Sequence, residues 1–213
     1  MSFLPLFRSF YTFYSGTIPP ERIAALAKLH GYDHAAIADR DGLYGAIKFY
    51  KSAKDAKIKP VIAAEITSPA GGAPIFLVAK DLSGYASIAR LVTRRKLHPD
   101  EFDREKETAY EAKGENIFIL SSCPESIYRL IREGAQKSSI FIRLSGIKEE
   151  DREAEKVKTL FDLPFVFAPL FAFEKEENLS THRLLRAVKH LPPEHAAEAV
   201  ARGAKELVER LGM

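Results

Sequence analysis

The sequence predicts an α/β fold arranged as a distorted (β/α) barrel, and three observations lead to this prediction. Short apolar runs alternate with amphipathic segments six or seven times along the chain, which is typical of parallel strands joined by helices. Residues 35–65 contain one complete strand–helix–strand unit. The glycine-rich motifs G-x-G-x-x-G and G-x-x-x-x-G-K-[ST] are absent from the sequence, so a barrel is favoured over a doubly wound nucleotide-binding sheet.

The chain begins with a predicted strand and a predicted helix. The strand covers residues 3–7, although Pro5 suits an edge or a strand start better than a central position. The aromatic stretch 8–15 follows it. Thr17 is a candidate helix cap, two prolines come after it in the first turn, and Gly31 ends the helix.

The unit at 35–65 is the most informative part of the sequence. Its first strand, 35–38, ends at the turn sequence DRDG, and its second strand covers 61–64. Apolar residues at helical spacing predict a helix over 43–56: Leu43, Ile47, Tyr50 and Ala53. Because a helix connects the two strands, we expect the strands to be parallel.

Both strands of this unit deliver a carboxylate at their C-terminal ends. Asp39 follows the first strand and Glu65 follows the second. Parallel α/β folds place their functional sites at this edge of the sheet. These two residues are therefore the first candidates for a site.

The rest of the chain continues the alternation. A Gly-Gly pair predicts a hairpin-like return before the strand 75–79. The segment 98–116 is charged and poor in large apolar residues, so we expect a solvated, mobile excursion with a short helix. The further predicted strands cover 117–120, 139–144 and 163–173. The further predicted helices cover 82–93, 124–133, 149–161, 179–189 and 194–211, and the last of them closes the domain within 191–213.

The composition is that of an ordinary globular protein, with 46% hydrophobic and 29% charged residues, and we predict one domain over 1–213. A net charge of +3 does not indicate nucleic-acid binding, which requires a concentrated basic face. The single cysteine, Cys123, excludes an internal disulfide and indicates a reducing compartment. No apolar stretch approaches the ~20 residues that span a bilayer, so we expect a soluble, cytoplasmic protein.

The stretch AIADRDGLYGAIKFYKSAKDAKIKPVIAAEI resembles the start of the PHP (polymerase and histidinol phosphatase) domain of bacterial DNA polymerase III alpha subunits. The resemblance continues in the same order through IFLVAKDLSGYASIARLV, IFILSSC and LPFVFAPLFAF followed by THRLLRAV. It implies a distorted seven-stranded, TIM-barrel-like β/α barrel. In active members of this family, histidine, aspartate, glutamate and cysteine-type side chains at the C-terminal barrel edge hold metal ions for phosphoester hydrolysis.

Most of the family's metal-binding positions carry other residues in this chain. Asp39 and Glu65 match the family pattern, whereas Arg40 stands where the family has a histidine after Asp39. The opening H-x-H-x-H pattern has lost its histidines, with Ser9 and Tyr11 in that segment. The other replacements that the resemblance implies are Arg143 for an acid, and Leu170 and Ala172 for the aspartate and histidine of N-D-x-H.

The histidines of the chain lead to the same interpretation without the family pattern. None of the six directly follows the C-terminal end of a predicted strand, and His34 precedes one. Zinc takes about four nitrogen, sulfur or oxygen donors, and hard divalent ions take several oxygens. Asp39 and Glu65, with Cys123 as a distant third, do not supply a multinuclear site. We therefore expect no metal, no cofactor and no catalytic residue, with zinc or manganese as the cofactor if the domain is active.

Three interpretations of Asp39 and Glu65 stay open. The pair is a vestigial weak metal site, or two ordinary charged residues at strand ends, or part of an ion-pair cluster with Arg40 and Arg143. Arginine suits the third interpretation because its guanidinium pairs bidentately with a carboxylate and keeps its charge.

Aromatic residues concentrate near the strands that would carry the site: Phe10, Tyr11, Phe13, Tyr14, Phe171 and Phe173. They could stack on nucleotides, or they could fill the space of an emptied metal pocket, since protein interiors are close-packed. We favour filling, because Arg8 is the one basic residue interleaved with them. Cys123 is expected to be a buried, inert thiol, and the basic run 94–96 a solvated helix end.

The resemblance and the missing ligands together predict a non-catalytic PHP domain with a structural or partner-binding role in DNA replication. Its implied partners are the polymerase core of a parent protein or a proofreading exonuclease-like subunit. The chain lacks room for a polymerase core of its own. The alternative is a residual metal-dependent phosphoesterase that uses Asp39 and Glu65. Direct DNA binding by this domain alone and a membrane association are not expected.

Overall fold

The computed structural model describes residues 2–174, except for the side chains at 149, 150, 153, 156 and 159. Its strands are β1 (Ser2–Phe3), β2 (Leu6–Phe7), β3 (His34–Arg40), β4 (Lys59–Ile66), β5 (Ile75–Ala79), β6 (Ile117–Ser121), β7 (Ile140–Leu144), β8 (Phe165–Phe167) and β9 (Leu170–Phe171). Its α-helices are α1 (Pro20–Leu29), α2 (Ala46–Asp55), α3 (Leu82–Leu97), α4 (Arg104–Glu111), α5 (Pro124–Arg132) and α6 (Lys148–Phe161). None of these helices has the length and apolar character needed to cross a membrane.

The strands close into a seven-stranded barrel. Nine strand segments form one sheet in the order β1-β8-β7-β6-β5-β4-β3-β2-β9, and β1 with β2, like β8 with β9, are two halves of one strand. A continuous backbone ladder joins these two composite strands: Leu4 N to Phe167 O (2.9 Å), Leu6 N to Pro169 O (3.0 Å) and Arg8 N to Phe171 O (2.8 Å). The predicted distorted seven-stranded barrel is therefore confirmed.

The first strand differs from its prediction, because it is interrupted between β1 and β2 at Leu4 and Pro5. Pro5 has no N–H, so it only accepts a bond on the side that faces β3, from Ala36 N at 2.9 Å. The last predicted strand is interrupted in the same way between β8 and β9. Each break lies opposite the other, so the barrel closes with a distortion shared by both strands.

One strand of the barrel runs against the others. β3 and β4 are parallel, as predicted, but β5 is antiparallel to both β4 and β6. The β4–β5 connection contains Gly71 and Gly72, whose φ angles of 84° and 89° favour glycine. The predicted hairpin-like return is confirmed, and no crossover helix lies between these two strands.

The core is divided by strand alternation into the barrel interior and the layer beneath the helices. Side chains that point into the barrel are mostly small on β3 and β4 and larger on the strands opposite: Leu6, Ala36, Ala38, Ala63, Phe76, Val78, Leu120, Val166 and Ala168. The alternate residues, such as Ala35 and Ile37, pack outward against α1 and α2.

Two details of the first helices were predicted incorrectly. Thr17 does not cap α1, because its hydroxyl donates to the Ala172 carbonyl at 3.2 Å and Pro19 precedes the helix. In α2 the buried face consists of Ala46, Phe49 and Ala53. Ile47 is 58% exposed and Tyr50 is 45% exposed, so the stripe expected to face the core faces outward at these two positions.

The segment 98–116 is not the solvated excursion that its composition predicts. It contains α4, in which Arg104 and Glu105 are 3% and 2% exposed and form an ion pair at 2.5 Å. Arg104 also donates to the Ala73 carbonyl at 2.7 Å and to Ser126 Oγ at 2.9 Å. This buried arginine therefore anchors α4 to the β4–β5 loop and to α5, while the mobility of the segment stays a prediction.

Several predictions fall outside the described residues. These are the helices at 179–189 and 194–211, the closing role of 191–213, and His182, His190 and His195.

Replacement of Arg104 by methionine is expected to lower the free energy of unfolding by about 3 kcal/mol, because it leaves the buried Glu105 carboxylate with a single, longer ion pair to Arg129. Urea unfolding followed by circular dichroism measures the loss. Lys106→Met on the same helix is the control, since Lys106 is exposed and its replacement should change stability little. Equal stability of the two variants would show that Arg104 does not anchor α4.

Candidate functional site

The candidate site lies at the mouth of the barrel, where the parallel strands end. Side chains along a strand point alternately into and out of the barrel, and at this level the strands point charged side chains inward. Arg8 continues the inward series of Leu6, and Arg40 continues that of Ala36 and Ala38. Glu65 on β4 and Arg143 on β7 point inward by the same rule. The top layer of the interior is therefore charged, in contrast to the apolar layers beneath it.

Glu65 is the most deeply buried charge of this layer, with 0% exposure. Arg40 Nε donates to its Oε1 at 2.7 Å, and Arg8 Nη2 donates to its Oε2. Arg40 and Glu65 face each other in the parallel register of β3 and β4. Both carboxylate oxygens are thus engaged by guanidinium groups from two different strands.

Arg8 is itself almost entirely buried, with 8% exposure. Burial lowers the pKa of its guanidinium below the ordinary value, and the attraction of Glu65 opposes this shift. An arginine keeps its charge even so, so Arg8 brings a full positive charge against Glu65. Its Nε has no hydrogen-bond partner among the residues that the structure describes.

Asp39 lies beside this pair but points to the other side of the sheet. Its Oδ1 accepts from Ser9 N at 2.7 Å and from Thr12 Oγ1 at 2.9 Å. Its Oδ2 accepts from Ser9 Oγ at 2.8 Å. Burial raises the pKa of Asp39 despite these bonds and the nearby Arg8. The carboxylate therefore fastens the loop after β2 to the end of β3.

The expected ion-pair cluster is present in part and has one member that the sequence analysis missed. Arg40 and Glu65 are paired, but Asp39 accepts hydrogen bonds from hydroxyl and amide groups. Arg143 donates from Nε to the Ala168 carbonyl at 2.9 Å, and its guanidinium carbon lies 4.6 Å from the centre of the Phe76 ring. The missed member is Arg8, and its spacing of two residues from the inward-facing Leu6 is the signal that could have identified it.

The other predicted site positions are spread around the mouth. Ser9 contacts Asp39, as described above. The ring of Tyr11 lies 4.6 Å from the Phe10 ring and 6.3 Å from the Tyr44 ring. Leu170 packs against the barrel interior, and the Ala172 carbonyl accepts from Thr17 N at 2.9 Å.

The aromatic residues do not fill an emptied pocket, contrary to the favoured prediction. Phe13 is 73% exposed, Tyr14 45% and Phe10 39%, so these rings lie on the surface. Phe171 is half-buried, but it packs in the layer beneath the helices rather than in the barrel interior, 5.1 Å from the Phe7 ring. The space at the mouth is instead taken by arginine side chains, because the buried Glu65 requires positive charge there.

Three further predictions concern residues outside this layer. Cys123 is half-buried rather than buried, and it precedes α5. His34 lies at the opposite end of the barrel and contacts the Phe3 carbonyl at 2.9 Å. The basic run 94–96 is not simply solvated, since Arg94 pairs with Glu107 at 3.1 Å and Arg95 donates to the Thr67 carbonyl at 3.0 Å. Among residues 2–174, no three histidine, cysteine, aspartate or glutamate side chains are grouped so that they could hold a metal ion.

The chain is similar to known proteins both in sequence and in fold. The family model described as "PHP domain" matches residues 7–162. An error-prone DNA polymerase from Corynebacterium diphtheriae is 34% identical over 89 residues, which is 42% of this chain and 8% of the polymerase. An error-prone DNA polymerase from Symbiobacterium thermophilum is 36% identical over 98 residues, which is 46% of this chain and 9% of the polymerase. The matched region is therefore less than a tenth of the length of either relative.

Two solved structures share the fold at low sequence identity. A putative metal-dependent phosphoesterase from Bifidobacterium adolescentis superposes with a TM-score of 0.54 at 11% identity, covering 79% of this chain and 86% of its own. An amidohydrolase from Chromobacterium violaceum superposes with a TM-score of 0.57 at 10% identity, covering 81% and 88%. At this identity the likeness describes the fold alone.

Replacement of Arg8 by methionine is expected to lower the free energy of unfolding by about 3 kcal/mol, because one oxygen of the buried Glu65 loses its charged partner. The double variant Arg8→Met/Glu65→Gln should recover part of this loss, since it no longer buries a carboxylate that lacks one of its two arginine partners. Denaturant unfolding of both variants measures the coupling.

The control for this cycle is Arg22→Met, which removes an ion pair to Glu174 on the surface and should change stability little. If Arg8→Met is as stable as this control, Glu65 does not depend on Arg8.

Asp39 should give stability a characteristic pH dependence. Its folded pKa lies above the ordinary value of 3.8, so the folded protein binds this proton more tightly than the unfolded chain does. The contribution of Asp39 to the free energy of unfolding is then greatest below that ordinary value and falls as the pH rises through the raised pKa.

The measurement is the difference in unfolding free energy between the wild type and Asp39→Asn, taken at about pH 4 and about pH 7. We expect the wild type to gain relative to the variant at the lower pH. A difference that stays constant, or grows toward pH 7, would contradict the raised pKa.

Proposed function

The chain belongs to the PHP domain family, and we propose that it is a non-catalytic member with a structural or partner-binding role in DNA replication. The observation that carries this proposal is the pairing of the buried Glu65 with the guanidinium groups of Arg8 and Arg40. A carboxylate that ligates a metal must offer its oxygens to the cation. Here both oxygens already accept from charged donors that belong to the protein.

The donor set at the mouth does not fit a divalent metal centre. Two fixed positive charges, Arg8 and Arg40, stand directly at the Glu65 carboxylate, and a cation placed there would be repelled by both. Asp39 is the other retained acid, and its two oxygens accept three hydrogen bonds from Ser9 and Thr12. Both carboxylates therefore have a structural use that competes with metal binding.

The relatives suggest the setting in which such a domain would act. The matched relatives are named error-prone DNA polymerases, and the matched region is a small part of each. We infer that this domain braces the polymerase core of a parent protein or binds a proofreading exonuclease-like subunit. Binding of DNA by the domain alone is not part of this proposal.

The second candidate function is a residual metal-dependent phosphoesterase with zinc or manganese. What favours it is the position of Asp39 and Glu65, two buried carboxylates at the C-terminal ends of neighbouring parallel strands. This candidate requires Arg8 or Arg40 to move away from Glu65, so that a cation can take their place.

A turnover assay separates the two candidates. We expect hydrolysis of p-nitrophenyl phosphate and of bis(p-nitrophenyl) phosphate with Mn²⁺ or Zn²⁺ to be no faster with the protein than with the metal ion alone. Metal analysis after dialysis should find no stoichiometric ion. The matched variants are Asp39→Asn and Glu65→Gln, with circular dichroism to show that each is folded. Metal-dependent turnover that either variant abolishes would refute the non-catalytic role.

A further inference from the structure

An open groove of about 410 Å³ lies on the outer surface between α2 and α3. Its walls come from Ile47 and Tyr50 of α2 and from Leu82 and Tyr85 of α3. Its floor is formed by outward-facing residues of the sheet: Pro60, Ile62 and Ala79.

The groove exists because β5 is antiparallel to its neighbours. In a (β/α) barrel each crossover between parallel strands supplies a helix that covers the outer face of the sheet. β4 and β5 are antiparallel and are joined by a loop, so no helix comes from their connection. α2 and α3 are therefore neighbours across a missing position in the helical layer.

The walls of the groove expose large apolar side chains. Leu82 is 82% exposed, Ile47 58% and Tyr50 45%. On α2, Ile47 and Tyr50 form a second apolar stripe, separate from the buried stripe of Ala46, Phe49 and Ala53. Only the buried stripe meets the core. The exposed stripe gathers apolar side chains at one place on the surface, and such a patch indicates a binding surface.

The rim of the groove is basic. Lys51 and Lys54 share the helical face of Ile47 and Tyr50, because these four positions follow the i, i+3, i+4, i+7 spacing. Lys54 Nζ lies 5.6 Å from the centre of the Tyr50 ring, and Lys80 lines the other side. The acid in the lining, Asp81, is already used, since it accepts from Gly84 N at 2.9 Å and from Ser83 Oγ at 2.8 Å to cap α3.

We propose that this groove binds an acidic amphipathic α-helix of a protein partner. The apolar walls would receive residues at i, i+3 or i+4, and i+7 of that helix, and its flanking carboxylates would pair with the three lysines. An added strand does not suit this surface, because β4 and β5 are paired on both sides in the closed barrel. The proposal rests on the partner-binding role proposed above and assigns that role a surface.

The test uses the full chain and two fluorescently labelled synthetic helical peptides. Both peptides carry leucine at the same i, i+3, i+4, i+7 positions; one has glutamate at the flanking positions and the other has lysine. Fluorescence anisotropy should show the glutamate peptide binding at least about tenfold more tightly than the lysine peptide. Ile47→Ser and Leu82→Ser should each weaken the glutamate peptide by about tenfold.

Charge reversal supplies the sharper readout. The variant Lys51→Glu/Lys54→Glu should lose affinity for the glutamate peptide and gain it for the lysine peptide, an exchange that a general loss of structure cannot produce. Leu29→Ser is the matched control, because Leu29 is 77% exposed on α1, away from the groove, and its replacement should leave both affinities unchanged.

Several outcomes would overturn the proposal. One is failure of the glutamate peptide to bind, and another is binding that Ile47→Ser and Leu82→Ser leave intact. A dimer that light scattering detects and Leu82→Ser dissociates would assign the groove to a second copy of the chain. Faster amide hydrogen exchange within 191–213 in Leu82→Ser would assign it to the chain's own C-terminal region. Oligonucleotide binding that is lost with the lysines but not with Ile47 would assign the rim to nucleic acid.

The groove and the non-catalytic role can fail separately. Metal-dependent hydrolysis together with intact peptide binding would end the non-catalytic role and keep the surface. Absence of both hydrolysis and peptide binding would end the proposed surface alone.

Discussion

The mouth of this barrel depends on one constraint, which is that a carboxylate without exposure to water must be matched by positive charge. An isolated buried ion costs several kcal/mol, and removal of one partner of a buried pair costs more than the pair contributes. Arg8 and Arg40 meet this demand at Glu65 from two separate strands. Arg8 N also bonds to the Phe171 carbonyl. Arg8 thus neutralises the charge of Glu65 on β4 and, through its backbone N–H, bonds to β9, the strand that closes the barrel.

Strand alternation lets two adjacent residues of β3 serve different purposes at this mouth. Arg40 points into the barrel and pairs with Glu65, whereas Asp39 points outward and holds the loop of Ser9 and Thr12. Two small residues of β3, Ala36 and Ala38, lie beneath this charged layer in the barrel interior. The result is a family scaffold whose retained acids act as structural anchors under the proposed function.

The sequence was sufficient for the fold because alternating strand and helix signals are local, and the turn at Gly71 and Gly72 indicated the hairpin. It identified Arg40 as a partner of Glu65 but not Arg8, since Arg8 follows an interrupted strand whose register depends on pairing with β8 and β9, far along the chain. The outward position of Ile47 and Tyr50 was missed for a related reason. α2 carries two apolar stripes, and spacing alone does not tell which one meets the sheet. The burial of Arg104 was missed because charged residues in sequence look the same whether they form a buried ion pair or the surface of a solvated helix.

The closing strand also bears on where the domain can be divided. The family match ends at residue 162, whereas β8 and β9, which pair with β1, β2 and β7, cover 165–171. A fragment that ends at residue 162 would lose β8 and β9, which together form the last strand of the barrel. Two strand edges would then lack their hydrogen-bond partners, and such edges promote aggregation. Expression fragments of this domain therefore need to extend past Phe171, beyond residue 162, where the match to the family model ends.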